Sequence, residues 1–288
     1  MTRFGTVALV GSPNAGKSTL LNNLIGEKIS IVSPKVQTTR SVIRGIAISK
    51  DTQIVFFDTP GLFKPFRKLE KSIVKAAWHG LHEADYILML FDSIKGITDN
   101  DIIIIKNLQN QGIPCSAVLN KVDKVDKPKL LELTNKLAHY SLFEEIFMIS
   151  ALTGEKVKEL SEILFDKMPE GEWHFSEDEI TDAPSKFLAQ EFTREQVFLK
   201  LHKEIPYNVA VETEAWEEQP DGSLKINQVI YVMKPSQKAI VVGKSGEMIK
   251  TIGMEARKNI ADLLDKKVHL YLFVKIKENW VDIPELCM

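Results

Sequence analysis

The sequence predicts a doubly wound, mostly parallel α/β domain followed by a smaller α+β domain. Three observations carry this. Near-continuous apolar runs alternate with helix-like segments through the first half. A glycine-rich loop directly follows the first of those runs. After about residue 170 the character changes and the order becomes α-β-β-α-α-β.

In the first domain, VALV (7–10), IVFF (54–57), YILMLF (86–91), SAVL (116–119) and IFMIS (146–150) read as strands. Such runs belong to a parallel sheet buried on both faces, with helices as crossovers. VIRGIAI (42–48) alternates and reads as an antiparallel edge strand. The opening MTRFGTVALVGS breaks at Gly11 and leads into the glycine-rich loop, so it reads as a first strand and not a secretory leader. PEGEWHFSEDEITDAP (169–184) is acidic, turn-forming and bracketed by prolines, which is linker chemistry. The expected division is a domain over 1–172, a linker over 173–184 and a second domain over 185–288. The second domain opens on a helix (185–203), then two strands joined by the turn Pro220-Asp221-Gly222. A helix through 247–264 and the strand VHLYLFVKI (268–276) follow.

Composition narrows the class. The 288 residues are 44% hydrophobic and 26% charged, as in globular proteins, and the net charge of −2 gives no overall sign of nucleic-acid binding. Cys115 and Cys287 exclude a disulfide framework. No apolar run approaches the roughly 18–20 residues that span a bilayer. A cytoplasmic protein without a transmembrane segment is expected.

The first domain carries four motifs, each at a strand's carboxyl end, where ligands of such sheets sit. GSPNAGKS, Gly11 to Ser18, fits G-x-x-x-x-G-K-[ST] between a strand and a helix. The backbone of Gly11, Ser12, Pro13, Asn14, Ala15 and Gly16 can wrap phosphates, Lys17 can reach the terminal ones, and Ser18 can ligate Mg²⁺, with Thr19 following. In DTPG, Asp58 can hold the Mg²⁺ shell and Gly61 N–H can sense a γ-phosphate, with Thr59 and Pro60 between. In NKVD, Asn120 and Lys121 precede Asp123, whose carboxylate can pair with guanine N1–H and exocyclic amine together. Adenine lacks that donor pair, so a P-loop kinase using ATP is disfavoured. Ser150, Ala151 and Leu152 end the next strand, where the Ala151 N–H can donate to guanine O6. The reading is a GTP site.

These motifs resemble those of the translation-factor-related GTPases, and GSPNAGKSTLLNNLIG with DTPGL resembles the TrmE–Era–EngA group. The resemblance implies a switch threonine ligating Mg²⁺ in KVQTTRSVIRGI, assigned to Thr39 with Thr38 as the alternative. Lys17, Thr39 and Gly61 are then the expected catalytic groups. Leu62 stands where Ras-type enzymes use glutamine to orient water, so slow hydrolysis is expected. Asn14 matches the asparagine that helps hold K⁺ in potassium-activated relatives, making K⁺ a candidate second ion.

A second GKS, Gly243-Lys244-Ser245, does not make a second phosphate loop, because the required glycine five residues earlier is Lys238. What remains is Gly243-x-x-Gly246 before a helix. In KH domains such a loop clamps a single-stranded backbone of about four nucleotides. From Lys234 to Lys258 six basic residues stand against two acidic ones. Gly243, Lys244, Ser245, Gly246, Lys250 and Lys238 are the expected RNA contacts; a protein or membrane adaptor domain is the alternative. HFSEDEITD, REQVFLKLHKEIPYNVAVE and AIVVGKSGEMIKTIGMEARKNI resemble the Era family over essentially the whole chain. That resemblance implies a P-loop GTPase domain and a type II KH domain. It implies binding of the 3′ end of small-subunit ribosomal RNA, a part in 30S subunit maturation, and some peripheral association with the inner face of the cell membrane. His79 and His82 read as solvated residues, and Trp216, Tyr231 and Tyr271 as packing residues.

Overall fold

The structure is a computed structural model. It describes all residues except 37, 63–73, 75–77, 79, 80, 82, 83, 111, 203, 284, 285, 287 and 288. His79, His82 and Cys287 therefore lie outside the described residues. The chain forms two compact units: Met1–Ser30 with Ser41–Asp182, and Ile31–Arg40 with Ala183–Met288.

The first unit is built on a six-stranded sheet in the order β2-β3-β1-β4-β5-β6. Its strands are β1 (Arg3–Gly11), β2 (Ile43–Ser49), β3 (Thr52–Asp58), β4 (Tyr86–Asp92), β5 (Cys115–Asn120) and β6 (Phe143–Met148). All neighbours run parallel except β2, which is antiparallel to β3 at the edge, as its alternation predicts. Every residue of β3, β4 and β5 is buried, so continuous apolar runs are what these positions select. Helices α1 (Lys17–Ile25), α2 (Asp99–Gln109), α3 (Lys127–Ala138) and α4 (Val157–Lys167) belong to this unit. Burial pushes the Cys115 thiol up to about 12, which makes it an inert core group.

Two features differ from the sequence expectation. The last strand lies at 143–148 and not 146–150, and it is only half-buried. As an edge strand it carries Glu144 and Glu145, which flank Lys167 Nζ at 3.2 and 3.3 Å, a charged arrangement that discourages further strand pairing. The acidic stretch before residue 183 is bonded into the first unit. Gln53 donates to the Phe175 carbonyl and accepts from the His174 and Phe175 amides, and Ile46 N–H donates to the Ile180 carbonyl.

The second unit has a three-stranded sheet in the order β7-β8-β9: Val209–Glu218, Leu224–Val232 and Val268–Ile276. β7 and β8 form the hairpin signalled by Pro220-Asp221-Gly222, and β9 joins β8 in parallel. Helices α5 (Ser185–Lys200), α6 (Pro235–Val242) and α7 (Glu247–Leu264) complete it. On α7 the buried residues Ile252, Ala256 and Ile260 recur every fourth position, the stripe a helix needs to cover a sheet.

The segment Ile31–Arg40 completes this unit's core. Ile31 packs with Phe192, Ile226 and Ile260. Val32 N–H donates to Glu195 Oε1 (2.8 Å), and Arg40 Nη1 donates to the Val209 carbonyl (3.0 Å). The Val32 bond, with Arg194 donating to the Thr38 carbonyl and pairing with Glu191, explains why α5 buries Glu191, Arg194 and Glu195, residues that α-helices normally expose.

Candidate nucleotide site and nucleic-acid groove

In the first unit the parallel strands bring their carboxyl ends to one edge. β1 pairs Leu9 with Asp58, and β4 pairs Asp92 with Asn120, so residues distant in sequence arrive together. Between β1 and α1 the loop 11–16 uses glycine where no side chain fits. A Cβ on Gly16 (φ +102°) would lie 2.1 Å from Asn120 Nδ2, and one on Gly11 (φ +147°) 2.4 Å from the Leu90 carbonyl oxygen. Asn14 also has positive φ, 66°. Lys17 is buried and donates to the carbonyls of Gly11 (3.1 Å) and Ser12 (3.2 Å). Desolvation lowers its pKa to about 8, against the opposing fields of Asp58 and Asp101.

Asp58 Oδ2 accepts from Ser18 Oγ (2.6 Å) and from Ser30 Oγ (2.7 Å). This places the two predicted Mg²⁺ ligands of the first unit side by side. A hydroxyl and a carboxylate suit a hard cation that keeps several of its waters. Among the described residues no group of three or more His, Cys, Asp or Glu is arranged to hold a metal ion. Thr59 Oγ1 donates to the Leu9 carbonyl (2.7 Å), and Leu62 N–H donates to the Gly11 carbonyl (3.2 Å). Gly61 is glycine for space: a Cβ would sit 2.9 Å from Pro13 Cα.

Asn120 ties the motifs together. Its Nδ2 donates to the Ala15 carbonyl (2.8 Å), and its Oδ1 accepts from the amides of Lys121 (2.8 Å) and Ala151 (2.9 Å). The Ala151 N–H expected to meet guanine O6 here donates to Asn120 Oδ1. Lys121 (φ 67°) donates to the Asn14 carbonyl (2.8 Å) and to Asp92 Oδ2 (2.7 Å). The Ser150 hydroxyl, with Lys124 beside it, holds the Asp123 carboxyl below its ordinary range, so it stays ionised. Leu152 is exposed.

Thr38 and Thr39 belong to the segment packed in the second unit, where both are buried. Thr38 donates to the Lys35 carbonyl (2.8 Å), and its own carbonyl accepts from Arg194 Nη2 (2.6 Å). The structure therefore gathers Lys17, Ser18, Asp58, Gly61 and Asn120 into one unit and leaves the two threonines in the other.

Sequence reading missed Asp92 and Ser30. Asp92 ends a buried strand just as Asp58 does, so the same rule could have found it. Ser30 carries no pattern.

In the second unit, α6 ends at Gly243 (φ 75°), where a Cβ would lie 2.6 Å from Met248 Cβ. Ser245 and Gly246 take left-handed φ values of 52° and 80°, and α7 begins immediately after. The loop thus presents its backbone at a helix start, where amides attract phosphate. Lys238, Lys244 and Lys250 are exposed around it.

Beside α7 and β9 runs a groove of about 350 Å³. Lys250, Gly253, Met254 and Arg257 line it from the helix, and Tyr271 and Phe273 from the strand. Tyr231 is buried, as expected of a packing residue. Tyr271 is not: it is 50% exposed and Phe273 49%, so both rings offer a face to solvent. The packing expectation for Tyr271 is corrected on that ground. Alternation in VHLYLFVKI puts Tyr271 and Phe273 on one face without saying which face is covered.

A family model described as a 50S ribosome-binding GTPase matches residues 6–121, and a KH-domain model matches 204–281. GTPase Era of Sinorhizobium medicae is 52% identical over 284 residues, covering 99% of this chain and 92% of its own. GTPase Era of Rhizobium meliloti is 53% identical over 284 residues, covering 99% and 91%. Among solved structures, Era in complex with MgGDPNP and nucleotides 1506–1542 of 16S ribosomal RNA aligns with a TM-score of 0.94 at 38% identity. That alignment covers 99% of this chain and 97% of the other. A single-substitution variant of Aquifex aeolicus Era bound to GDP.AlF4− aligns with the same score, identity and coverage.

Proposed function

Because the chain belongs to the Era family of GTPases, we propose that it is a GTP-hydrolysing switch whose KH unit grips the 3′ end of small-subunit ribosomal RNA during 30S assembly. The observation that carries the RNA half is the pairing of the Gly243–Gly246 loop with the aromatic groove. A glycine loop that backbone can approach closely and exposed lysines suit a sugar-phosphate backbone, while Tyr271 and Phe273 suit unstacked bases. The 16S ribosomal RNA fragment bound by the 38% identical Era supports that partner.

In this reading, residues 11–19 and 58–61 hold the phosphates, and Asn120, Lys121, Asp123 and 150–152 hold guanine. Ser18, Asp58 and Thr39 hold Mg²⁺, with Thr38 as the alternative to Thr39. When bound, the ion neutralises charge developing on the γ-phosphate. Lys17 adds charge to the terminal phosphates, and the Gly61 N–H points to the γ-phosphate. Leu62 offers no polar side chain to orient the water, so hydrolysis is slow. Asn14 supplies a place for K⁺; equal rates in KCl and NaCl at matched ionic strength would remove it. The functional division is 1–172 for the GTPase and 185–288 for the RNA unit, joined by 173–184. The protein works in the cytoplasm, with peripheral contact at the inner face of the cell membrane. Among the described residues no helix is long and apolar enough to cross a membrane.

The test titrates the single-stranded 3′ end of small-subunit ribosomal RNA against the parent and a Gly243→Asp, Gly246→Asp variant. Loss of affinity in the variant supports the RNA reading. Equal affinity would return the second unit to an adaptor role.

A further inference from the structure

The start of α2 is wired to both halves of the phosphate site, although no nucleotide-binding motif includes it. Asn100 Nδ2 donates to the Leu62 carbonyl (2.6 Å) and to Ser12 Oγ (2.8 Å). Ser12 Oγ in turn donates to Asp101 Oδ1 (2.5 Å). Asp101 is buried, and its other oxygen accepts from the Thr98 amide (2.9 Å) and hydroxyl (2.7 Å). The Asp101 amide returns a bond to Thr98 Oγ1 (3.2 Å), completing a capping box that fixes the helix start.

From this geometry we propose that Asn100 is a positioning residue for GTP hydrolysis. It sets the backbone that follows Asp58-Thr59-Pro60-Gly61 against the phosphate loop. The proposal rests on the GTPase reading. Leu62 is held at both ends, its N–H by the Gly11 carbonyl and its carbonyl by Asn100. With residue 62 fixed, the peptide plane joining it to Gly61 has little freedom. Gly61 is itself pressed against Pro13, where even a methyl group would collide. Where many GTPases orient water with a glutamine side chain, this chain has leucine. The precision of the backbone therefore carries a larger share of catalysis, and a displacement of about 1 Å can cost up to a hundredfold in rate. The amide side chain is specific to the task. A carboxylate of the same shape has no N–H to donate, so Asn100→Asp would set an acceptor against the acceptor oxygen of Leu62.

The experiment compares the full-length parent with Asn100→Ala and Asn100→Asp. Single-turnover hydrolysis, KM for GTP, affinity for GDP and Tm are measured for each. Both variants are expected to lower kcat about tenfold, with KM and GDP affinity within about twofold of the parent. In a double-mutant cycle with Ser12→Ala, the effect of Asn100→Ala on kcat should persist, since the Leu62 bond remains to be lost. Either a kcat within about twofold of the parent or a GDP affinity that falls as far as kcat would overturn the proposal. Failure of the parent to hydrolyse GTP at all would instead remove the GTPase reading, a distinguishable result.

Discussion

Within the second unit, Arg194 Nη2 donates to the carbonyl of Thr38 and, together with Nε, holds Glu191 in a buried ion pair. One arginine thus holds the segment bearing the candidate switch threonines. Arg194→Ala would leave a buried carboxylate without its partner, at a cost of about 3–5 kcal/mol. A corresponding drop in Tm, on the order of 10–20 °C, is expected by calorimetry, together with faster proteolysis at Lys35. Replacing both partners, Glu191→Leu with Arg194→Met, should recover most of the loss, because desolvation is then relieved on both sides.

Two glycines of the first unit should respond oppositely. Gly16→Ala drives a methyl group into Asn120 Nδ2 and is expected to abolish nucleotide binding. At Gly26 (φ +82°) a Cβ meets nothing within 4 Å. Gly26→Ala should cost only about 1 kcal/mol of backbone strain, with GDP affinity unchanged in a fluorescence titration.

The Lys17 ammonium gives a pH signature. Its pKa in the fold is about 8, below the ordinary 10.5, because burial disfavours the charge. Below pH 8 both folded and unfolded chains hold this proton, and the desolvation cost is fully felt. Between 8 and 10.5 only the unfolded chain holds it, so the cost is progressively relieved as pH rises. Phosphates select the protonated form. GDP affinity measured without Mg²⁺ should therefore fall about tenfold per pH unit above about 8, with proton uptake visible by calorimetry in two buffers. Asp101→Asn removes a field that raises this pKa and should move the break downward.

For the RNA groove, Tyr271→Ala and Phe273→Ala should each weaken binding by about 1–3 kcal/mol, the range of base stacking on an aromatic ring. Lys250→Gln should instead reduce the salt dependence, lowering the slope of log K against log salt by about 0.7. GTP turnover without RNA should be unchanged in all three. A uniform loss of turnover would point to misfolding, and circular dichroism would identify it.

The sheet of the first unit was legible because burial on both faces leaves its strands little choice but apolar runs. Asp58 and Asn120 were legible because parallel strands deliver their last residues to one edge. The half-exposed β6 was harder to place, since an edge strand tolerates Glu144 and Glu145 and blurs the pattern. Asn100, Asp101 and Ser30 were invisible for another reason. Each acts through side-chain hydrogen bonds across a tertiary contact, which leave no periodicity and no fixed spacing. The exposure of Tyr271 turned on which face of β9 the helices cover, and one strand cannot declare that alone.

The ten residues Ile31–Arg40 complete a core that otherwise begins at Ala183. Segments matched by separate family models need not fold separately. A truncated gene product starting at 183 would lack the strap over Glu191, Arg194 and Glu195, and its exposed Phe192 flank would invite self-association. Anyone dissecting this chain for binding studies would do better to supply 31–40 as a synthetic peptide in trans. Restored solubility would then report the missing piece.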